Sequence, residues 1–495
     1  MALRMSLRKA LTLAARQPRL NAALVAAVVA LGAGWGLWSC QSTPGGGAPV
    51  RAEAPPIPAT EPDVRIRIKA AVASVKLTGP EQFLIRAGVG ESATLKAPVT
   101  ITATAGGCRI VDASGSERAV ASVPWVEIES IAKGSAAAAR IKVDGVAYPG
   151  RLRIIPRTAP LADAEPEEAP PGPALASSDP AAALLALQAP SRPKWPAARA
   201  APAAPAAKMD LIEVVPIEAY LTGVIIAEMP SHWPLGAFHV QAVCARTYAL
   251  HERARSIQNG KAWDLEAGEL DQAYNGGPEI PNAAKAVAET RGIVLTWNGG
   301  LLRSYYSSTC GGRTAGAASV WPTGPGFEFN LAAPIQPSPR ETTCKDSPIH
   351  RWSLTRDRAE LSKQLREWGR TNGHPIGKMA LIEGVETVQT NPVGRPTRYV
   401  VTDDKGATFP IAAELLRVAC NYGVAGVKPI TRETRVRSGD LEMDVTPSGV
   451  VIRGRGFGHG VGMCQYCARA MAERGDPWQE AVLRFYPGAK LERAY

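Results

Sequence analysis

Residues 215–250 read VPIEAYLTGVIIAEMPSHWPLGAFHVQAVCARTYAL, and the reading of this stretch decides how the chain is put together. It divides into two helical segments at Met229-Pro230-Ser231-His232-Trp233-Pro234. In the first, Ile217, Leu221 and Val224 recur at helical spacing, and Glu228 is the next position on the same stripe. A carboxylate therefore stands where the pattern calls for an apolar side chain, in the last turn before Pro230 stops the helix. Burial and the negative end of the helix dipole both disfavour its charged form, which raises its pKa. A carboxyl kept protonated near neutrality is what a general acid needs; a glutamate at a frayed helix end, reaching solvent, is the plainer alternative. The second segment opens at Pro234, a favoured first helical position, and Leu235, Phe238, Ala242, Ala245 and Ala249 form its inward stripe. Arg246 either meets an anionic or hydroxyl-rich ligand or closes a surface salt bridge.

Working outward, 495 residues allow two or three domains and a sizeable core. The net charge of +11 suits an anionic partner such as phospholipid, an acidic polymer or nucleic acid. No basic run with interleaved aromatics stands out, so nucleic acid is set aside. Arg4, Arg8, Lys9, Arg16 and Arg19 precede an apolar run from Ala22 to Trp38, and residues 1–39 read as an export signal or membrane anchor. Leu37-Trp38-Ser39-Cys40 resembles a bacterial lipoprotein cleavage box, which makes Cys40 a lipidation candidate. The remainder is then expected outside the cytoplasmic membrane. Residues 40–62, rich in Pro, Ala and Gly, form a linker. Residues 63–156 are β-rich, opening with the period-two run Val64-Arg65-Ile66-Arg67-Ile68, and hold no catalytic constellation. Cys108 is a buried small residue there. Residues 157–208 are dominated by Ala and Pro with few aromatics and read as a disordered insertion. Residues 209–495 form the last and largest part.

Within that part, Leu270–Gly277 is a loop, Ala283–Thr290 a helix, Ile293–Trp297 a strand, Asn298-Gly299 a hairpin turn, and Leu301–Ser308 the return strand. The return strand runs into Ser307-Ser308-Thr309-Cys310-Gly311-Gly312-Arg313-Thr314, either a loop approached by a ligand or a polar turn. Cys310 and Cys344 bracket an irregular loop and are disulfide candidates. Zinc would want two more ligands, and His350 offers only one nearby. Ser353–Trp368 is amphipathic, with Leu361, Leu365 and Trp368 on one side. In Gly454–Met463 every second residue is glycine, which predicts an extended segment with one bare edge and with Arg455, Phe457, His459, Val461 and Met463 projecting on the other. His459 is then either packed in a hydrogen-bonded position or presented for chemistry. Cys464-Gln465-Tyr466-Cys467 opens a helix. Without a second CxxC or a thioredoxin-like context, its cysteines read as small helix residues or a disulfide.

Three of these stretches together, in order and spacing, resemble stage II sporulation protein D and the related amidase enhancers. They are Val215–Leu250, the YYSSTCGGRTAGAASVW stretch from Tyr305, and GRGFGHGVGMCQYCARAMAERG from Gly454 with its trailing FYPGA. The resemblance implies an α+β fold with a mixed β-sheet core and short helices lining a cleft. It implies an exported lytic transglycosylase that cuts peptidoglycan glycan strands, preferring denuded ones, and leaves 1,6-anhydro-N-acetylmuramic ends. The alternative is a non-catalytic glycan-binding enhancer of an N-acetylmuramoyl-L-alanine amidase. The family's catalytic glutamate falls on Glu228, and Arg246, Tyr274, Ser308, Thr309, His459 and Gln465 fall on motif positions around the cleft. Partners implied are glycan strands, an amidase and, through the N-terminal segment, the membrane. Some relatives carry a zinc site of Cys and His; this chain lacks such closely spaced ligands, so no metal or cofactor is assigned.

Overall fold

The computed structural model describes residues 54–495 except 88–90, 122–123, 132–139, 158–206, 269, 277–279 and 448. The export or anchor segment, Cys40 and nearly all of the Ala/Pro insertion lie outside the described residues. Among those described, no helix is long and apolar enough to cross a membrane.

A seven-stranded sheet runs in the spatial order Leu265–Glu266, Asp63–Val72, Lys208–Pro216, Arg151–Arg157, Val126–Ile131, Gln82–Ala87 and Glu91–Lys96. A six-stranded sheet is built from Ser74–Thr78, Val99–Thr104, Gly107–Val111, Glu117–Ala121, Ile141–Val143 and Val146–Tyr148. The period-two run behaves as written: Val64 and Ile66 are fully buried while Arg65 and Arg67 reach out to Asp264 and Glu266. Lys208–Pro216 is the exception to alternation, buried at every position from Met209 to Val215, as a central strand covered on both faces should be.

Three helices follow: α1 (Ile217–Glu228), α2 (Leu235–Gln258) and α3 (Pro281–Glu289). Ile217, Leu221 and Val224 of α1, and Phe238, Ala242, Ala245 and Ala249 of α2, are buried as their spacing requires. The β-rich segment and these helices share one hydrophobic core that includes Ile66, Ile154, Leu211, Leu221, Val243 and Met463. Asn298 and Gly299 both take positive φ, 51° and 84°, the primed turn that the dipeptide predicts.

A second core lies inside residues 209–495, around Trp352, Leu361, Trp368, Tyr399, Leu416 and Ile452. It is enclosed by two three-stranded sheets, Arg351–Asp357 with Gly449–Arg455 and Leu441–Val445, and Ile382–Thr390 with Pro396–Asp403 and Thr408–Ala412. The short helix α4 (Ala317–Val320) precedes it; α5 (Arg358–Thr371) and α6 (Ala413–Cys420) belong to it; α7 (Gln465–Glu473) and α8 (Trp478–Phe485) return to the first core.

Three expectations are corrected here. Ser353–Asp357 is strand, not the start of the amphipathic helix, because the helix begins only where the Asp357 carboxylate caps it by accepting from the Glu360 N–H. The return strand of the hairpin stops after Gly300–Leu301, and Tyr306–Ser307 instead pairs in parallel with Met463–Cys464. Gly454–Met463 does not stay extended: Gly456, Gly458, Gly460 and Gly462 all have φ between 68° and 93°. Their missing side chains make room for the protein itself. A Cβ on Gly456 would stand 2.3 Å from the Thr309 carbonyl oxygen, and one on Gly462 2.0 Å from that of Tyr305. Val461 and Met463 are consequently buried, and the five alternate side chains do not project together.

The Ala/Pro insertion interrupts a hairpin. Arg157 is the register partner of Lys208, so the chain leaves and re-enters the sheet at neighbouring positions. Replacing residues 158–206 with a short Asn-Gly turn is expected to leave the thermal midpoint and circular dichroism unchanged. A clear fall in the midpoint would show that the segment contributes to packing.

Candidate functional site

Glu228 is the last residue of α1, half-buried, and its two oxygens are held differently. Oε1 accepts from the Ala273 N–H at 2.9 Å and, more weakly, from the Tyr306 hydroxyl at 3.5 Å. Oε2 accepts from Gln465 Nε2 at 3.2 Å. Among the described residues no cation is paired with it. Burial therefore dominates and holds the carboxyl above its ordinary range, while the three donated hydrogen bonds pull the other way.

The donors are themselves positioned. Tyr306 is brought in by the short parallel pair with Met463–Cys464, and its hydroxyl accepts from Gln272 Nε2 at 3.0 Å. Gln272 also donates to the Ala245 carbonyl and accepts from the Tyr220 hydroxyl, which fixes the backbone just before Ala273. Gln465, the first residue of α7, bridges Glu228 to Gln241 of α2. Tyr306, Gln272, Gln241 and the Ala273 N–H escape a reading by motif. Only the Tyr306 position, beside the hydroxyl-rich run, carried any signal.

The other predicted residues scatter. Arg246 is fully buried in an ion pair with Glu218 at 2.7 Å, and Glu218 also accepts from the Gly292 N–H and the Tyr495 hydroxyl. This ion pair ties α1 to α2 within the core, buried rather than at the surface where a salt bridge was expected. Tyr274 is buried with its ring 4.7 Å from that of Tyr220 and packed over Gly223, beside the buried Glu213. Thr309 is buried with its hydroxyl 3.0 Å from that of Ser347. Ser308 offers its carbonyl to the Tyr466 N–H.

His459 packs edge-on against Trp321 and Tyr305, at centroid separations of 4.8 and 5.9 Å. Its Nδ1 accepts from the Val461 N–H at 3.0 Å, and desolvation pushes its pKa down to about 4, so it is a neutral, packed imidazole at ordinary pH. Among the described residues no hydrogen bond links it to Glu228. Two other carboxylates are engaged elsewhere: Asp264 is held by Arg65, and Asp271 accepts from the Tyr248 hydroxyl and the Glu266 N–H. A cavity of about 460 Å³ lies elsewhere, lined by Ile349, Asn421, Arg432, Arg437 and Phe457, and none of the predicted site residues lines it.

The disulfide candidates Cys310 and Cys344 belong to a larger group of thiols. The two sulfurs do meet, but at 3.6 Å, unbonded, and Cys464 and Cys467 join them. All four side chains are buried.

Two consequences can be measured. Because the folded-state pKa of Glu228 is raised, its contribution to stability is present at acidic pH and lost as pH rises through that raised value. Glu228→Gln removes the titration, and Gln241 Nε2, which finds no hydrogen-bond partner among the described residues, allows the facing amides to turn and accommodate it. In chemical denaturation, the stability difference should shift in favour of the variant between mildly acidic and neutral pH. A pH-independent difference would show an unperturbed carboxyl. By contrast, Arg246→Met leaves Glu218 buried without its cation and should cost about 3–5 kcal/mol by the same measurement.

With this geometry in view, the relatives become informative. Residues 206–297 match the SpoIID model, described as stage II sporulation protein, and residues 335–462 match a domain of unknown function, DUF8618, which coincides with the second core. The chain is 29% identical over 295 residues to a protein named amidase enhancer from Bacillus subtilis, covering 55% of this chain but 40% of that protein. It is 25% identical over 297 residues to stage II sporulation protein D of the same organism, covering 57% of this chain and 76% of that protein. A protein of Brachyspira hyodysenteriae is 27% identical over 284 residues, covering 57% and 68%. The stretch that matches the SpoIID model, residues 206–297, carries both Glu228 and the paired helices α1 and α2 that hold it.

Proposed function

We propose that the chain is a cell-wall protein that cleaves peptidoglycan glycan strands as a lytic transglycosylase, with Glu228 as the single acid and base. The observation that carries this reading is a carboxyl with its pKa raised by burial, held by three donors and, among the described residues, paired with no cation. The fixed Ala273 N–H keeps Oε1 as the accepting end, which leaves Oε2 to carry the proton.

In the reaction, Glu228 gives that proton to the oxygen joining N-acetylmuramic acid to N-acetylglucosamine as the C1–O bond breaks. The resulting carboxylate takes the proton of the muramic C6 hydroxyl while O6 bonds to C1. The 1,6-anhydro ring closes, no water is consumed, and Glu228 ends protonated as it began. Ordinary glycoside hydrolysis uses two carboxylates, whereas this route needs one, in keeping with a site where neither Asp264 nor Asp271 is hydrogen-bonded to Glu228. The envelope location follows from the basic and apolar N-terminal segment together with this substrate.

A second reading is favoured by the name of one relative, amidase enhancer: the chain grips glycan and stimulates an amidase without cutting. Product analysis separates the two. Incubated with denuded glycan, the wild type should release fragments with anhydro-muramic ends by mass spectrometry, and Glu228→Gln should lose at least about 10²-fold of that rate while keeping its fold. Full cleavage by the variant ends the catalytic assignment. Reducing ends would indicate hydrolysis, and an inactive wild type that raises amidase turnover would establish the enhancer.

A further inference from the structure

Cys310, Cys344, Cys464 and Cys467 come from three remote stretches of chain and converge so that their sulfurs all lie within 4.8 Å of one another. Each is at most 2% exposed. Four separate thiols packed this closely in a dry interior gain little from one another, since a thiol is a weak donor and a weak acceptor. The arrangement suits a central cation. Zinc held by thiolates at about 2.3 Å in a tetrahedron separates its sulfurs by about 3.8 Å, and the Cys310–Cys344 separation is already 3.6 Å.

The surroundings favour thiolates. Cys464 is the N-cap of α7 and Cys467 lies in its first turn, so both sulfurs sit at the positive end of that helix. The Cys310 N–H points at Cys464 Sγ at 3.3 Å. His350 Nδ1 lies 3.5 Å from Cys344 Sγ, placed to hydrogen-bond a coordinated sulfur from outside the tetrahedron. An iron–sulfur cluster would insert inorganic sulfides between the thiolates and spread them further apart than these four stand.

We propose that these four cysteines form a structural zinc site. Zinc displaces the four thiol protons, giving a tetrathiolate centre of net charge minus two with no open position for substrate. Its place in the fold explains its use. The second core is spliced in between Cys344 and Cys464, so the metal closes the base of that long excursion. It also anchors the start of α7, whose first residue, Gln465, donates to Glu228.

The test uses the full chain purified without added chelator, and it is independent of any cleavage assay. Elemental analysis should find one zinc per chain. The four thiols should react with a thiol reagent only after a strong chelator removes the metal, and the thermal midpoint should fall with it. Cys467→Ser should lose most of the zinc and His350→Ala should retain it. Because the chelation arm uses the wild type, a Cys467 variant that failed to fold would not block the test. The proposal is overturned by intact disulfides, seen as loss of thiol hydrogens in the mass of the unreduced protein. It is equally overturned by stoichiometric iron, by reduced cysteines that take up no added zinc, or by loss of zinc from His350→Ala equal to that from Cys467→Ser.

Discussion

Two backbones here pass closer together than any side chain would allow. Gly462 stands where any side chain would strike the Tyr305 carbonyl, and Gly456 where one would strike that of Thr309. With these glycines in the left-handed region, the chain at 456–464 lies directly on the chain at 305–310. The Tyr486 hydroxyl bonds both sides, donating to the Tyr305 carbonyl and accepting from the Met463 N–H. From this one juxtaposition come the parallel pair Tyr306–Ser307 with Met463–Cys464, the arrival of Tyr306 and Gln465 at Glu228 from opposite segments, and the meeting of Cys310 with Cys464. A bulky residue at Gly462 would therefore disturb the site and the sulfur cluster together, without being part of either.

Helix α1 carries two glutamates with opposite fates. Glu218, in its first turn, sits at the positive end of the helix and is met by the Arg246 guanidinium, the Gly292 N–H and the Tyr495 hydroxyl. Among the described residues Glu228, at the other end, meets neutral donors only, and burial prevails. The same residue type on the same helix is thus an ion-paired link between elements at one end and a carboxyl met by neutral donors at the other. What distinguishes them is the presence of a cation, not depth of burial alone.

Glu228 could be found without a structure because helical register and Pro230 are local: a polar residue on an apolar stripe, just ahead of a helix stop, is visible in four turns of sequence. Arg246 has the same local prominence but answers to Glu218, a partner whose identity depends on how two helices cross. Tyr306, Gln272 and Gln241 have no local signature, since each acts through a neighbour far along the chain. Alternating glycines are compatible with a flat strand and with a series of left-handed turns, and only the backbone they must pass decides between them. The CxxC at Cys464 looked incomplete because its complement is separated from it by an entire second core.

That second core is fastened to the first by arginines whose donors go mostly to main-chain oxygens. Arg395, almost fully buried, donates to the carbonyls of Cys310, Arg313 and His459. Arg313 reaches back the other way to the Asp440 carboxylate and the Gly394 carbonyl. The planar, always-charged guanidinium is suited to this, since it can satisfy several fixed carbonyls at once where an ammonium would bond as a compact point. Because the carbonyls lie in the loop bearing Cys310 and in the turn bearing His459, the two cores share these segments as a common wall. Any rearrangement of the second core would have to break these buried hydrogen bonds or carry the Cys310 loop with it. The loop is in turn paired through Cys464 to the residue that holds Glu228, so the second core is mechanically continuous with the acid group although it contributes no side chain to it.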